Sequence, residues 1–470
     1  MQIFFPTRQT IQFLLVAFIG LGLALHSTAQ AVDLDDLAKT EVLTKGRTAQ
    51  AQWTPQTTVS LSRTPGYKFV KDSRLTPYGG TLNNRQKATG YFYLKQIRGG
   101  WWLIDPDGGR FISKGLNSVY INETPRATAA VKQRFGSDAC WAQDTKQLLK
   151  EHGFNTLGCW SDLDRLEQSS IKMPYTLYMK LMASFARERG IATMGTGNND
   201  YIHDAIPVFD PAFEIHCDQR FAEIAQRHVE DPWLLGVFSD NELPLRGNIL
   251  SNYLLLDPDN VNRQAAEAWW KARQGSKARQ PQQEDEEAFL QYVAERYFRI
   301  VTTAQKKHLP NHLYLGCRLI NSSARSTAVM RAGRRYVDVW SINYYGKWTP
   351  RTEDMDRWLE LSGRPFIITE WYAKGEDTGL DNLGGAGFTV QSQADRGKFY
   401  QHFALYLMAH RGCVGWHWFK YCDDDRLNPS ARISNKGVLD ADYRPYTPLL
   451  EPMRELNQQV YRLRPILVTD

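Results

Sequence analysis

Leu234-Leu235-Gly236-Val237-Phe238-Ser239-Asp240-Asn241-Glu242 is the stretch on which the reading of this chain turns. A strand-like apolar run stops at a carboxylate. Far downstream, Pro365-Phe366-Ile367-Ile368-Thr369-Glu370-Trp371 repeats the pattern. In a parallel barrel the strand interiors build the core, and the C-terminal strand ends carry the chemistry. Both glutamates are therefore expected at the same end of one sheet.

Outward from these two segments, helical stretches alternate with short apolar runs, the pattern of βα units. Strands are expected at 113–116 (ended by Asn117), 155–160, 191–195, 236–242, 313–317, 337–345, 366–370 and 413–419. Helices are expected near 142–152, 178–189, 217–228, 262–308, 393–410 and 449–461. Eight strands interleaved with helices predict an α/β fold, a (β/α)8 TIM barrel with a short N-terminal β-rich arm. Before the barrel, 91–97, 100–104 and 110–113 alternate like a small antiparallel platform around the Asp105-Pro106-Asp107-Gly108 turn.

The chain has 470 residues. Its start carries one basic residue, Arg8, an apolar run from Ile11 to Leu25, then Ala29-Gln30-Ala31. This is the layout of a secretory signal, and the apolar run is shorter than the roughly 20 residues of a membrane span. The expected organisation is a signal peptide over 1–31, an arm over 32–88 and a catalytic domain over 89–470. An exported protein, periplasmic or extracellular, without stable membrane insertion after cleavage, follows. The formal charge of +6 is spread without a long basic run, which argues against a nucleic-acid partner. The six cysteines form no C-x-x-C pair, so zinc and redox motifs are absent. Disulfides and buried free thiols both remain open. His216-Cys217-Asp218 has no usual ligand spacing, and no metal or organic cofactor is expected.

Two carboxylates facing one glycosidic bond are the working parts of a glycosidase. An acid must hold its proton at rest, and a nucleophile must be ionised and surrounded by donors. Glu242 and Glu370 are the candidates, although a loop carboxylate at a helix start and a surface strand end are the alternative readings. Opposed at the ends of the fourth and seventh strands, they are expected ~5–5.5 Å apart, the separation for retention. Asn241 is placed to bond a sugar 2-hydroxyl. Tyr345 and Asn343 share a side-chain parity that turns both to the strand mouth, and Tyr345 is a candidate donor to Glu370. Trp416 and Trp418 share one face of the last strand, where one is expected to floor the sugar site; two core tryptophans is the other reading. Some of Asn199, Asp200 and His203, in the polar loop after the third strand, are expected to touch substrate.

The segments Gly100-Trp101-Trp102-Leu103-Ile104-Asp105-Pro106-Asp107-Gly108, Pro207-Val208-Phe209-Asp210-Pro211, Gly236 to Glu242, Ile368-Thr369-Glu370 and Gly415-Trp416-His417-Trp418-Phe419 resemble the β-agarases of glycoside hydrolase family 50. The two glutamate motifs resemble those of the wider glycosidase clan A. The resemblance implies a barrel fold and a retaining mechanism on β-1,4 bonds of an agarose-type galactan. It also implies Glu242 as acid/base and Glu370 as nucleophile, with a polysaccharide or oligosaccharide as partner. Other glycans (a β-galactoside, β-mannan or β-glucan) and a non-catalytic carbohydrate-binding barrel are the alternatives.

Overall fold

The computed structural model describes residues 34–46, 51–64, 67–191, 201–275, 279–382, 384–425 and 433–468. The signal-like segment, Asn199, Asp200 and all but Ile191 of the expected third strand lie outside these residues. Among the described residues no helix is long and apolar enough to cross a membrane.

The strands are β1 (Lys39–Lys45), β2 (Thr54–Val59), β3 (Tyr93–Ile97), β4 (Gly100–Ile104), β5 (Arg110–Phe111), β6 (Ser113–Leu116), β7 (Thr156–Leu157), β8 (Tyr175–Tyr178), β9 (Leu234–Phe238), β10 (Leu313–Tyr314), β11 (Leu319–Ile320), β12 (Trp340–Asn343), β13 (Phe366–Glu370), β14 (Ala373–Gly375), β15 (Phe388–Val390) and β16 (Cys413–Trp418). Nine of them form one parallel sheet in the order β10-β9-β8-β7-β6-β16-β13-β12-β11. Its apolar positions are buried on both faces, as crossover helices require of a parallel sheet.

This corrects the expected eight-stranded barrel: the central sheet has nine strands, and two further sheets accompany it. The run read as one fifth strand is two. Gly316 at φ 75° and Arg318 at φ 49° leave extended geometry, so β10 pairs with β9 while β11 pairs with β12. These two pieces are the edges of the sheet order. The strand that pairs with β7 on the side away from β6 is Tyr175–Tyr178, which the sequence reading did not include. Lys180 at φ 54° separates that strand from the helix Leu181–Glu188, so the expected helix starts later than 178.

The N-terminal stretch is more than an arm laid on the surface. β1 pairs with β2 and with β15, in a four-stranded sheet of order β14-β15-β1-β2. The small platform is antiparallel β3-β4-β5. All six cysteines are free thiols, five of them buried and Cys140 exposed.

Packing behind β13 and β16 is aromatic. Trp371 stacks on Phe403 at 4.4 Å and on Tyr400 at 5.1 Å, both on the helix Gln393–Ala409. The same helix holds the N-terminal sheet. His402 accepts the Val59 amide at Nδ1 (3.0 Å), and its Nε2 bonds the Thr349 hydroxyl (2.7 Å). An accepting Nδ1 requires the neutral ring, and burial pushes the His402 pKa down to about 4 from 6.5. The folded state therefore resists a proton that the unfolded chain takes up. Stability from His402 is complete above about pH 6.5 and is lost as pH falls toward about 4, at about 1.4 kcal/mol per pH unit. Buried His417, pushed down to about 3, adds to the same window. Melting temperature is expected to fall from pH 6.5 to 4, and less steeply in His402→Gln; equal slopes would contradict this account.

Candidate active site

The loop after β9 is built on Asp240. Its carboxylate, 1% exposed, accepts the backbone amides of Met182 (2.9 Å) and Ala183 (3.3 Å), which open the helix Leu181–Glu188. It also accepts the Tyr297 hydroxyl at 2.7 Å. Burial pushes its pKa up to about 7, against the pull of these donors. The anchored turn sets Asn241 and then Glu242, whose backbone has φ 53°. That left-handed conformation costs a non-glycine residue about 1 kcal/mol or more, and the Glu242 amide is held by the Arg318 carbonyl at 3.1 Å.

Asn343, ending β12, joins the two glutamates. Its Nδ2 lies 2.8 Å from Glu242 Oε1, 3.1 Å from Glu370 Oε1 and 3.1 Å from Asn241 Oδ1. Thr369 donates its hydroxyl to Asn343 Oδ1 at 2.9 Å. With Oδ1 taken by the Thr369 hydroxyl, the amide nitrogen is the end that faces the two carboxyl groups. Two N–H bonds face three acceptors, so two of the oxygens share one N–H.

Glu370, ending β13, has a different environment. Its Oε1 takes Arg318 Nη2 at 2.9 Å, and its Oε2 takes the Tyr345 hydroxyl at 2.7 Å. Burial and the nearby Glu370 charge push the Tyr345 pKa well up, which keeps that hydroxyl protonated as a donor. Glu370 is 7% exposed and Glu242 9%, so both side chains are largely buried.

Arg318 was not singled out by the sequence reading. It is fully buried, donates to Asn241 Oδ1 at 2.7 Å and to the Thr369 carbonyl at 3.0 Å, and lies 4.2 Å from the Trp160 ring. Burial alone would lower its pKa, but the acidic groups of Cys159, Glu370 and Glu242 outweigh it and raise it. Trp160 is half-buried and meets Phe419 and Tyr178 edge to face. Trp160 ends one strand-like run and Arg318 directly follows another, the same signal that pointed to the glutamates.

Asn241, Glu242, Asn343, Tyr345 and Glu370 thus lie in one hydrogen-bonded cluster. Trp416 and Trp418 do not form its floor. Both are 0% exposed; Trp416 Nε1 donates to Tyr400 on the outer helix and Trp418 Nε1 to the Lys436 carbonyl. Parity shows that they share a face, and the face is the one toward the helix. His417 points the other way, to Ser113 Oγ at 2.8 Å. The half-buried rings beside the cluster are Trp160 and Phe419 instead. His203 is exposed in the short turn Ile202–Asp204. Among the described residues, no three or more His, Cys, Asp or Glu converge as a metal site. His216 pairs with Glu188 and Ser184.

No family model matches the chain. Among curated proteins it is similar to Beta-agarase B of Vibrio sp. (strain JT0107), 24% identical over 494 aligned residues, covering 82% of this chain and 50% of that protein. Beta-agarase A of the same strain is 27% identical over 461, covering 78% and 45%. The chain therefore spans about half the length of the curated relatives it matches. Among solved structures, BpGH50 superposes with a TM-score of 0.81 at 28% identity, covering 95% of this chain and 99% of that one. The agarase AgWH50C does so with 0.70 at 25%, covering 84% and 67%. These likenesses support the resemblance to glycoside hydrolase family 50, and with it the reading of the chain as a glycoside hydrolase.

Proposed function

We propose that this chain is an exported retaining glycoside hydrolase of clan A that cleaves β-glycosidic bonds of an agarose-type galactan. Glu370 is the nucleophile, Glu242 the acid/base, and residues 89–470 form the catalytic domain. The observation that carries the reading is Asn343 Nδ2, which touches both carboxylates. Their nearest oxygens can be no further apart than the two contacts laid end to end, about 5.9 Å. That agrees with the ~5–5.5 Å of a retaining pair better than with the ~6.5–9.5 Å of an inverting one.

In the first step a Glu370 oxygen attacks the anomeric carbon. The glycosidic C–O bond breaks, and the proton of Glu242 goes to the leaving oxygen. In the second, Glu242 takes a proton from water, whose oxygen attacks the same carbon and releases the Glu370 carboxylate. Arg318, Tyr345 and Asn343 hold the Glu370 carboxyl in place. Asn241, oriented by Arg318, is set to meet the sugar 2-hydroxyl. The substrate class comes from the similarity to β-agarases.

The test is incubation with agarose, porphyran, carrageenan, mannan and β-glucan, with products resolved by mass. Neoagaro-oligosaccharides are expected. Cleavage of another glycan alone would overturn the substrate, and no cleavage of any would overturn the hydrolytic reading.

A further inference from the structure

Tyr297 stands on the long helix Gln283–His308, yet its hydroxyl reaches the turn that leads to Glu242. It donates to Asp240 Oδ2 at 2.7 Å and lies 2.8 Å from Ser239 Oγ. Its ring is fully buried and stacks on Phe213, with centroids 6.2 Å apart and planes at 14°. Ser239 Oγ in turn lies 2.8 Å from the Tyr314 hydroxyl and 3.2 Å from the Gly316 carbonyl oxygen. Backbone bonds close the clamp around these side chains. The Met179 amide donates to the Phe238 carbonyl (2.9 Å), the Leu181 amide to the Ser239 carbonyl (3.0 Å) and the Ser239 amide to the Gly316 carbonyl (2.9 Å).

At the centre is a buried carboxyl group with no paired cation among the described residues. The partners of Asp240 are the Met182 and Ala183 amides and the Tyr297 hydroxyl. Such a group is costly to bury, and an apolar side chain would fill the space at less cost. What the carboxyl adds is a tie between the helix Leu181–Glu188 and the turn after β9. That turn holds Glu242 at φ 53°, a conformation that persists only where the surroundings fix it. The Arg318 carbonyl holds the Glu242 amide on one side at 3.1 Å. Asp240, two residues earlier, holds the turn on the other.

The chain of hydrogen bonds from Asp240 through Tyr297 and Ser239 to Gly316 can also run in reverse. A donor at position 240 would meet the Tyr297 oxygen, Tyr297 would donate to Ser239 Oγ, and Ser239 to the Gly316 carbonyl. An amide side chain at 240 could therefore keep its oxygen on the Met182 and Ala183 amides and its nitrogen on Tyr297. A methyl group could do neither, and would leave buried amides without an acceptor.

We propose that Asp240 and Tyr297 are positioning residues for the acid step: they clamp the turn after β9 and so hold the Glu242 carboxyl against Asn343. This rests on the reading of Glu242 as the acid/base. Neither residue touches substrate; each acts through Glu242.

The test compares two substrates by kcat/KM, which reports the first step. An agaro-oligosaccharide needs a proton on its leaving oxygen, and a dinitrophenyl β-galactoside does not. In Asp240→Ala the oligosaccharide is expected to react about 100-fold more slowly, on the scale of lost general-acid catalysis. The loss on the aryl galactoside should be at least about tenfold smaller. Asp240→Asn should recover most of the activity, because the reversed chain accommodates it. Tyr297→Phe removes one hydroxyl and carries the test if Asp240→Ala does not fold; about a tenfold loss with the same selectivity is expected. Equal losses on both substrates, or no loss on either, in a variant that melts like the wild type would overturn the proposal. If the wild type cleaves neither substrate, the hydrolase reading fails, and crystal structures of the variants decide this one. A Glu242 carboxyl moved out of hydrogen-bond reach of Asn343 in Asp240→Ala or Tyr297→Phe, but not in Asp240→Asn, supports it. A Glu242 that stays on Asn343 in all three overturns it.

Discussion

Glu370→Gln is expected to lower kcat by roughly 10,000-fold or more, the scale on which loss of a covalent nucleophile is felt. The amide keeps the shape of the side chain, and its oxygen can still accept from Arg318 and Asn343. What it loses is the electron pair that attacks the anomeric carbon. The melting temperature should change little, which separates lost chemistry from a lost fold. Glu242→Gln should behave differently. A substrate whose leaving group needs no proton should form the glycosyl-enzyme at near-normal rate, and that intermediate should then accumulate. If both variants slowed every substrate to the same degree, the division of roles between the two glutamates would be wrong.

Arg318→Lys is expected to cut kcat by about 100- to 1,000-fold with a smaller change in KM. One guanidinium fork reaches Asn241 Oδ1, the Thr369 carbonyl and Glu370 Oε1 at once, at 2.7, 3.0 and 2.9 Å. An ammonium is a single point and cannot span all three. The Asn241 amide then loses the contact that fixes its orientation, and Glu370 loses part of its counter-charge. Because Arg318 is fully buried, a melting curve must accompany the kinetics. Loss of turnover in a protein that still melts cooperatively at a similar temperature supports the role; near-normal kcat contradicts it.

How much of this was legible in the sequence depends on how local each feature is. Strand-end glutamates announce themselves, because an apolar run that stops at a carboxylate is written in adjacent residues. The parity of Asn343 and Tyr345 is local in the same way. Tyr175–Tyr178 was harder: it is four residues long and borders a helix, so its pattern merged with that helix. The division of the fifth strand hinged on Arg318 adopting φ 49°, which few non-glycine residues do and no propensity foretells. For Trp416 and Trp418, period-2 alternation gives a shared face but not which face looks at the helix. Arg318 follows a strand-like run as the glutamates do, but its role is not local. Its partners, Asn241 and Glu370, are brought to it only by the fold.

The most direct test of the central claim is a trapping experiment. The purified protein is incubated with a 2-deoxy-2-fluoro galactoside carrying an activated leaving group, digested, and mapped by mass spectrometry. A single fluorosugar adduct on the peptide containing Glu370, absent in Glu370→Gln, is the predicted result. An adduct on another residue would contradict the assignment of the nucleophile. Turnover of the unfluorinated galactoside with inversion at the anomeric carbon and no adduct would contradict the mechanism itself.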